Sequence, residues 1–173
     1  MARHFRRVVR LCAAALLTAI ALLLIYTAGL PEPTILPRLR QASAPILTGR
    51  TLDGAPFSLS AQRNVPIIVN FWASWCAPCR EELPALQTLH QAGFHVIGVN
   101  VGEPEQVAAA FAAAQGVTFP NIADADYYWL RMFRVRVLPS TIFINADGTV
   151  REVVNGGMRA HELFAKAQAL GKP

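Results

Sequence analysis

The sequence is poor in cysteine and in charge. Only 3 of its 173 residues are cysteine, and charged side chains make up 16%. Cys76 and Cys79 form one isolated pair, and no second pair is present to complete a four-ligand zinc site. The sequence also has no internal repeat and no long low-complexity tract. We therefore expect one domain with an appendage, since domains typically run to about 100–150 residues.

Basic residues are in excess, but the excess is concentrated at the N-terminus. The formal net charge is +5, from 16 basic and 11 acidic residues, and four of the arginines precede residue 11. Leaving those four out gives 12 basic against 11 acidic residues, so the rest of the chain is almost neutral. Basic and aromatic residues are not interleaved, which argues against nucleic acid as a partner.

Residues 11–30 contain no charged side chain and directly follow the basic segment at residues 1–10. A helix of this length, at about 1.5 Å per residue, covers a hydrocarbon core of about 30 Å. The positive-inside rule places residues 1–10 in the cytoplasm. We therefore predict one N-terminal transmembrane helix in the inner (cytoplasmic) membrane, with the following domain in the periplasm or otherwise outside. A cleaved signal peptide is the alternative, although its apolar region is usually about 7–15 residues.

Proline marks the boundary after this segment. Four prolines lie within residues 31–45, and proline resists helix and sheet and keeps a chain extended. We predict a linker over residues 31–45 and a folded domain over residues 46–173.

Strand-like and helix-like patterns alternate within this domain. Residues 65–73 and 94–101 are apolar and rich in β-branched side chains, as in strands buried on both faces. In chain order the predicted elements are a hairpin at 46–60, a strand at 65–73, a helix at 77–91 kinked at Pro84, a strand at 94–101, a helix at 103–115, a short strand at 117–122, a helical turn within 126–133, a hairpin of strands 141–145 and 150–154, and a helix at 160–170. This order predicts an α/β fold, a three-layer α/β/α sandwich with a mixed central sheet.

The cysteine pair lies between the first buried strand and the helix after it. Unpaired backbone N–H groups and the dipole at a helix N-terminus favour a thiolate, which lowers the pKa of Cys76 and makes it a nucleophile. Cys79 returns to the same helical face three residues later, and Pro78 is tolerated in the first turn. A purely structural disulfide would contribute little across so short a loop. The pair therefore predicts redox chemistry.

Around these cysteines the chain resembles the thioredoxin superfamily, and within it the membrane-anchored TlpA/ResA type, which includes cytochrome c maturation reductases. The resemblance covers roughly residues 46–170. It rests on the stretch NFWASWCAPCREELP at residues 70–84, on LPST at residues 138–141, and on Asp147-Gly148 and Gly156-Gly157 near the end. It implies a thioredoxin-like fold with a strand, helix and strand inserted over residues 94–122.

The resemblance also implies roles for individual residues. Cys76 would be the attacking thiol and Cys79 the resolving thiol. Pro139 would be cis and pack beside them, so that the Leu138 backbone can pair with an extended substrate segment. An ordinary trans proline opening the next strand is the alternative. The residues expected to bind substrate are Trp75, Leu138 and Gly156.

Proton transfer is expected to differ from that in thioredoxins proper. Those proteins have a buried Asp where this chain has Asn70, and Asn cannot take up a proton. The TlpA/ResA type instead has a Glu at the position of Glu82, on the same helical face as Cys79. We predict that Glu82 handles the proton of Cys79. A solvated glutamate like Glu81 is the alternative.

Together these residues predict a thiol-disulfide oxidoreductase that needs no cofactor. The neutral Ala77-Pro78 dipeptide adds no cation to stabilise the thiolate, which favours a reductant of protein disulfides, for example in cytochrome c maturation. The resemblance implies a membrane thiol donor of the DsbD/CcdA type, and an anchor would keep the domain near it. A dithiol oxidase, a module that holds Cu(I) between two thiolates and a non-catalytic binding domain are the alternatives.

Overall fold

The structure is a computed structural model, and it describes residues 16–20, 42–62 and 64–172. The chain divides into two compact units, Met1–Ile35 and Leu36–Pro173. Within the first unit residues 16–20 are helical, and the rest of the predicted basic segment and anchor lies outside the described residues. Among the residues described, no helix combines the length and the apolar character needed to cross a membrane.

The second unit alternates strands and helices as the sequence predicts. Its elements in chain order are β1 (Thr48–Arg50), β2 (Pro56–Ser58), a 3-10 turn (Ser60–Gln62), β3 (Ile67–Trp72), α1 (Ala77–Gln91), β4 (His95–Val101), α2 (Glu105–Ala114), β5 (Asn121–Asp124), α3 (Tyr128–Met132), β6 (Ser140–Ile144), β7 (Val150–Asn155) and α4 (Ala160–Leu170). The bounds of α1 and α4 match the predicted ones. Pro84 lies inside α1, which continues to Gln91.

Several predicted boundaries are shifted in the structure, and at the starts of α2 and β5 a proline contributes. Helix α2 begins after Pro104 rather than at residue 103, because a residue before proline is disfavoured in helical conformation. Strand β5 begins at Asn121 rather than at residue 117. The preceding loop is fixed instead by α1, since Thr118 N–H donates to Gln87 Oε1 at 2.9 Å, and Pro120 has no N–H for a ladder.

The central sheet has the order β5-β4-β3-β6-β7. Strands β3, β4 and β5 are parallel, whereas β6 runs antiparallel to β3 and β7 antiparallel to β6. The predicted mixed sheet is therefore confirmed. One end of the sheet, which we call its carboxyl end, combines the last residues of β3, β4 and β5 with the first of β6. The register shows this directly, because Phe71 pairs with Ser140 and Trp72 with Asn100.

Strand β3 lies in the middle of the sheet and is buried on both faces. Ile68 and Trp72 face a cluster formed with α1 and α4, to which α2 contributes Ala112. Phe71 faces the other cluster, where its ring meets that of Phe133 edge-on at 5.6 Å. That second outer layer is thinner than an α/β/α sandwich predicts, because it consists of the five-residue helix α3 completed by the β1–β2 hairpin.

The last residues of the predicted linker pack on the domain. Ser43 forms an antiparallel bridge with Thr149, and Ala44 N–H donates to the Gly148 carbonyl at 2.8 Å. Residues 42–44 thus run along the turn between β6 and β7, while residues 31–41 lie outside the described residues.

Candidate active site

Cys76 and Cys79 are joined in a disulfide at the start of α1. Cys76 is the N-cap residue of the helix, and its Sγ accepts the backbone N–H of Cys79 at 3.3 Å. Cys76 exposes 5% of its surface and Cys79 1%, so Cys76 is the more accessible of the two cysteines, and its role as the attacking thiol stays a prediction. A thiolate at this position would lie at the positive end of the helix dipole, as the sequence predicts.

A tight turn leads from β3 to this cap. Cys76 N–H donates to the Ala73 carbonyl at 3.2 Å, which closes the turn over residues 73–76. Trp75 lies inside the turn and is 67% exposed. The indole is therefore on the surface beside Cys76, where it is free to contact a substrate, and its predicted binding role stays a prediction.

The loop before β6 lies close to the cysteine helix. The Leu138-Pro139 peptide bond is cis, as predicted. Gly156 N–H donates to the Pro139 carbonyl at 2.8 Å. A Cβ placed on Gly157 would lie 3.4 Å from Pro78 Cβ and 3.8 Å from Pro139 Cγ. Three predicted segments, the CxxC, the cis-proline loop and the glycine pair, therefore meet at the carboxyl end of the sheet.

Glu82 is buried beneath this surface, with 2% of it exposed. Its Oε2 accepts the side-chain amide of Asn70 at 3.1 Å, and its Oε1 accepts the backbone N–H of Met158 at 3.2 Å. Burial raises the pKa of Glu82 to about 7, although the bonds from Met158 and Asn70 act to lower it. The alternative of a solvated glutamate is therefore wrong.

A carboxyl with a pKa near neutrality can both take up and release a proton in neutral solution. Glu82 is three residues after Cys79 on the buried face of α1, and both side chains are buried. Asn70 holds the carboxyl from β3 and also donates to Thr141 Oγ1 at 2.9 Å. The site thus contains the chemistry expected for resolution, and proton transfer from Cys79 to Glu82 stays a prediction.

A second buried carboxyl, Glu103, was not identified from the sequence. It is 6% exposed and accepts the backbone N–H of Ser74 at 2.7 Å, the Ser74 hydroxyl at 2.5 Å and the Asn100 amide at 2.7 Å. The sequence pattern placed Glu103 in the first turn of α2. The signal against that was Pro104, which disfavours helix at the preceding residue.

Other candidate groups do not join the site. The His90 ring packs edge-on against Phe119 at 6.1 Å. Within residues 16–20, 42–62 and 64–172, no group of three or more His, Cys, Asp or Glu side chains could hold a metal ion. A cavity of about 680 Å³ lies at the amino ends of β4 and β5, away from the cysteines, and includes Thr51, Phe57, His95 and Phe119 in its lining.

Known proteins resemble this chain over most of the domain. Residues 41–153 match the AhpC/TSA family. The thiol-disulfide oxidoreductase ResA of Geobacillus kaustophilus is 32% identical over 126 residues, which are 70% of this chain and 72% of that protein. ResA of Bacillus subtilis is 33% identical over 121 residues, which are 68% of each. The crystal structure of a secreted Mycobacterium tuberculosis disulfide oxidoreductase homologous to E. coli DsbE has a TM-score of 0.67 at 30% identity, covering 72% of this chain and 96% of that one.

Proposed function

The chain belongs to the AhpC/TSA family of thioredoxin-like proteins and is a thiol-disulfide oxidoreductase, and on this premise we propose that it reduces protein disulfides outside the cytoplasm. The observation that carries the direction is the burial of Glu82 on the same helix face as Cys79. When Glu82 is ionised, as it is above its pKa of about 7, its negative charge near Cys79 disfavours the thiolate, and a less stable thiolate favours the disulfide form of the enzyme. A cysteine pair with a favoured disulfide form is a good reductant.

The cycle transfers two electrons by two displacements. The Cys76 thiolate attacks one sulfur of the substrate disulfide, forming a mixed disulfide and releasing the first substrate thiolate. The Cys79 thiolate then attacks Cys76 Sγ, forming the disulfide of the structure and releasing the second substrate thiolate. The enzyme is oxidised from dithiol to disulfide, and its two protons pass to the two substrate thiolates.

Glu82 takes the Cys79 proton in the second displacement. Its pKa of about 7 makes it a base strong enough to accept this proton and an acid strong enough to release it near neutral pH. Asn70 and Met158 keep the carboxyl in place while it changes charge. The substrate segment docks beside Cys76, along Leu138 and Gly156 at the edge of the cis-proline loop and against the exposed Trp75.

The electrons come from a thiol donor in the membrane, of the DsbD/CcdA type. The apolar residues 11–30 hold the domain at the inner membrane with the cysteines in the periplasm or otherwise outside, which raises their effective concentration near that donor. Apocytochrome c is one substrate that suits this arrangement, because its cysteines must be reduced for maturation.

The reduction potential of the Cys76/Cys79 pair tests the proposed direction. The full chain, purified in detergent, is equilibrated against dithiothreitol redox buffers, and the fraction of disulfide is read after acid quenching and thiol labelling. A potential near that of thioredoxin, about −270 mV, is the expected result. A value near about −120 mV would instead make the protein an oxidase. The Cys79→Ser variant, which cannot close the bridge, supplies the baseline.

A further inference from the structure

The turn that presents Cys76 is attached to another loop through one side chain. Ser74, two residues before Cys76, donates its backbone N–H and its hydroxyl to the two oxygens of Glu103, at 2.7 and 2.5 Å. The closing bond of the turn, from Cys76 N–H to the Ala73 carbonyl, leaves the Ser74 N–H free for this contact. Glu103 thus fixes the first half of the turn from outside it.

The loop that carries Glu103 is itself fixed on several sides. Gly102 has a φ of +71°, and its N–H donates to the Asp124 carbonyl at 3.0 Å. A Cβ on Gly102 would lie 2.5 Å from the Tyr127 hydroxyl oxygen, so a larger residue here would displace the Tyr127 ring. Asn100 donates to Glu103 from β4 at 2.7 Å. The carboxyl therefore has a fixed position relative to the sheet.

Glu103 is also suited to remain charged in this place. Burial acts to raise its pKa, but the bonds from the Ser74 hydroxyl, the Ser74 N–H and the Asn100 amide outweigh burial and bring the pKa below its usual value. Hydrogen bonds to a carboxylate are stronger than those between neutral groups. The contact with Ser74 therefore persists at neutral pH.

We propose that Glu103 is a positioning residue for disulfide exchange, which holds the turn at residues 73–76 and keeps Cys76 at the cap of α1. The requirement is greatest in the dithiol form, because the bond between Cys76 and Cys79 no longer ties the turn to the helix. Attack and ring closure both need the two sulfurs near bonding distance, and misplacement by about 1 Å can cost about 100-fold in rate. This inference deepens the proposed function, since it rests on Cys76 as the attacking thiol.

Four variants of the full chain separate positioning from charge and from general stability. Glu103→Ala removes the bonds to Ser74 and the charge together. Glu103→Gln removes the charge but keeps an oxygen for the Ser74 N–H. Ser74→Ala removes only the hydroxyl bond. Glu105→Ala is the matched control, because Glu105 is an exposed carboxyl two residues further on.

Two measurements are made on each variant. The first is the equilibrium constant for forming the Cys76–Cys79 disulfide from the dithiol with oxidised dithiothreitol. This constant rises with how well the folded protein brings its two sulfurs together. The second is kcat/KM for reduction of insulin disulfides. The first needs no protein substrate, so it still tests Glu103 if the wild type fails to reduce insulin and the proposed function falls.

We expect Glu103→Ala to lower both quantities at least about tenfold, Ser74→Ala about threefold, and Glu105→Ala not at all. Glu103→Gln should recover both to within about threefold of the wild type. The inference is overturned if folded Glu103→Ala stays within twofold of wild type, or if Glu103→Gln is as impaired as Glu103→Ala, since charge would then be responsible. If Glu103→Ala does not fold, Ser74→Ala decides: no change in the equilibrium constant overturns the inference, and a threefold loss supports it.

Discussion

The Asn70 side-chain amide donates to the Glu82 carboxyl at 3.1 Å, linking β3 to α1 beneath the disulfide. Asn70 fixes the carboxyl without adding a second ionisable group, whereas an aspartate here would repel a charged Glu82. Glu82 is therefore the only member of this pair that titrates, and it gains or loses its proton near pH 7. This arrangement has measurable consequences for stability and for exchange.

Stability of the oxidised protein should fall as pH rises towards 7. Burial raises the pKa of Glu82 from 4.5 to about 7, so between these values the native state binds more protons than the unfolded state. The free energy of unfolding then decreases with pH across that window, by at most about 3 kcal/mol in total, at about 1.4 kcal/mol for each unit of pKa shift. Denaturant unfolding at pH 5 and pH 8 measures this decrease.

Glu82→Gln should remove this pH dependence, since the amide does not titrate. The matched control is Glu81→Gln on the exposed face of the same helix, which should retain the wild-type slope. Equal slopes for the wild type and Glu82→Gln would mean that Glu82 titrates normally in the folded protein.

The Cys79→Ser variant should accumulate the mixed disulfide with its substrate. Cys76, at the helix cap, still attacks, but the serine hydroxyl cannot displace the bound product. Non-reducing electrophoresis and mass spectrometry after mixing with a disulfide-containing protein would detect the adduct. The Cys76→Ser variant should give none, and adducts of equal yield on both variants would contradict the assigned order of attack.

The active-site helix and the cysteine pair were predictable because their signals are local. The bounds of α1 follow from its apolar spacing and Gly93, and the cysteines from their place between strand and helix. The environment of Glu82 was not predictable, since its partner Met158 lies 76 residues away. Glu103 was missed for the same reason, because its partner Ser74 lies 29 residues earlier and comes close only when β4 pairs with β3.

Replacing Trp75 should mainly affect substrate binding, whereas replacing Trp72 should mainly affect stability. Trp75 is 67% exposed, so Trp75→Ala should change the free energy of unfolding by less than about 0.5 kcal/mol. The same variant should raise KM for a protein disulfide several-fold without changing the reduction of a small disulfide. Trp72 is fully buried and donates to Asn121 Oδ1 at 2.8 Å, so Trp72→Ala should lose about 3–5 kcal/mol.

Denaturant unfolding and steady-state kinetics on both variants measure these effects. An equal loss of stability in the two would contradict the surface position of Trp75. A proportional loss of activity towards small and protein disulfides in Trp75→Ala would exclude a specific contact with the protein substrate.

Gly98 in β4 should not tolerate alanine. A Cβ there would overlap the Asn121 side chain and lie 2.9 Å from Trp72 Nε1, so it would break the bond between those two side chains. Overpacking together with a lost buried hydrogen bond predicts a loss of about 3 kcal/mol in Gly98→Ala, measured by denaturant unfolding. In the double variant with Asn121→Ala the overlap with the Asn121 side chain is absent, and a cost equal to the sum of the two single changes would contradict this explanation.

The disulfide lies near the middle of the chain, but the contacts that define its surroundings come from residues added later. Asn70 bonds to Thr141, 71 residues further on, and Glu82 to Met158, 76 residues further on. Until β6, β7 and the loop after them have joined the sheet, Asn70 lacks its bond to Thr141 and Glu82 lacks its bond from Met158. The contacts that control the proton chemistry of the cysteine pair are therefore complete only when folding is nearly finished.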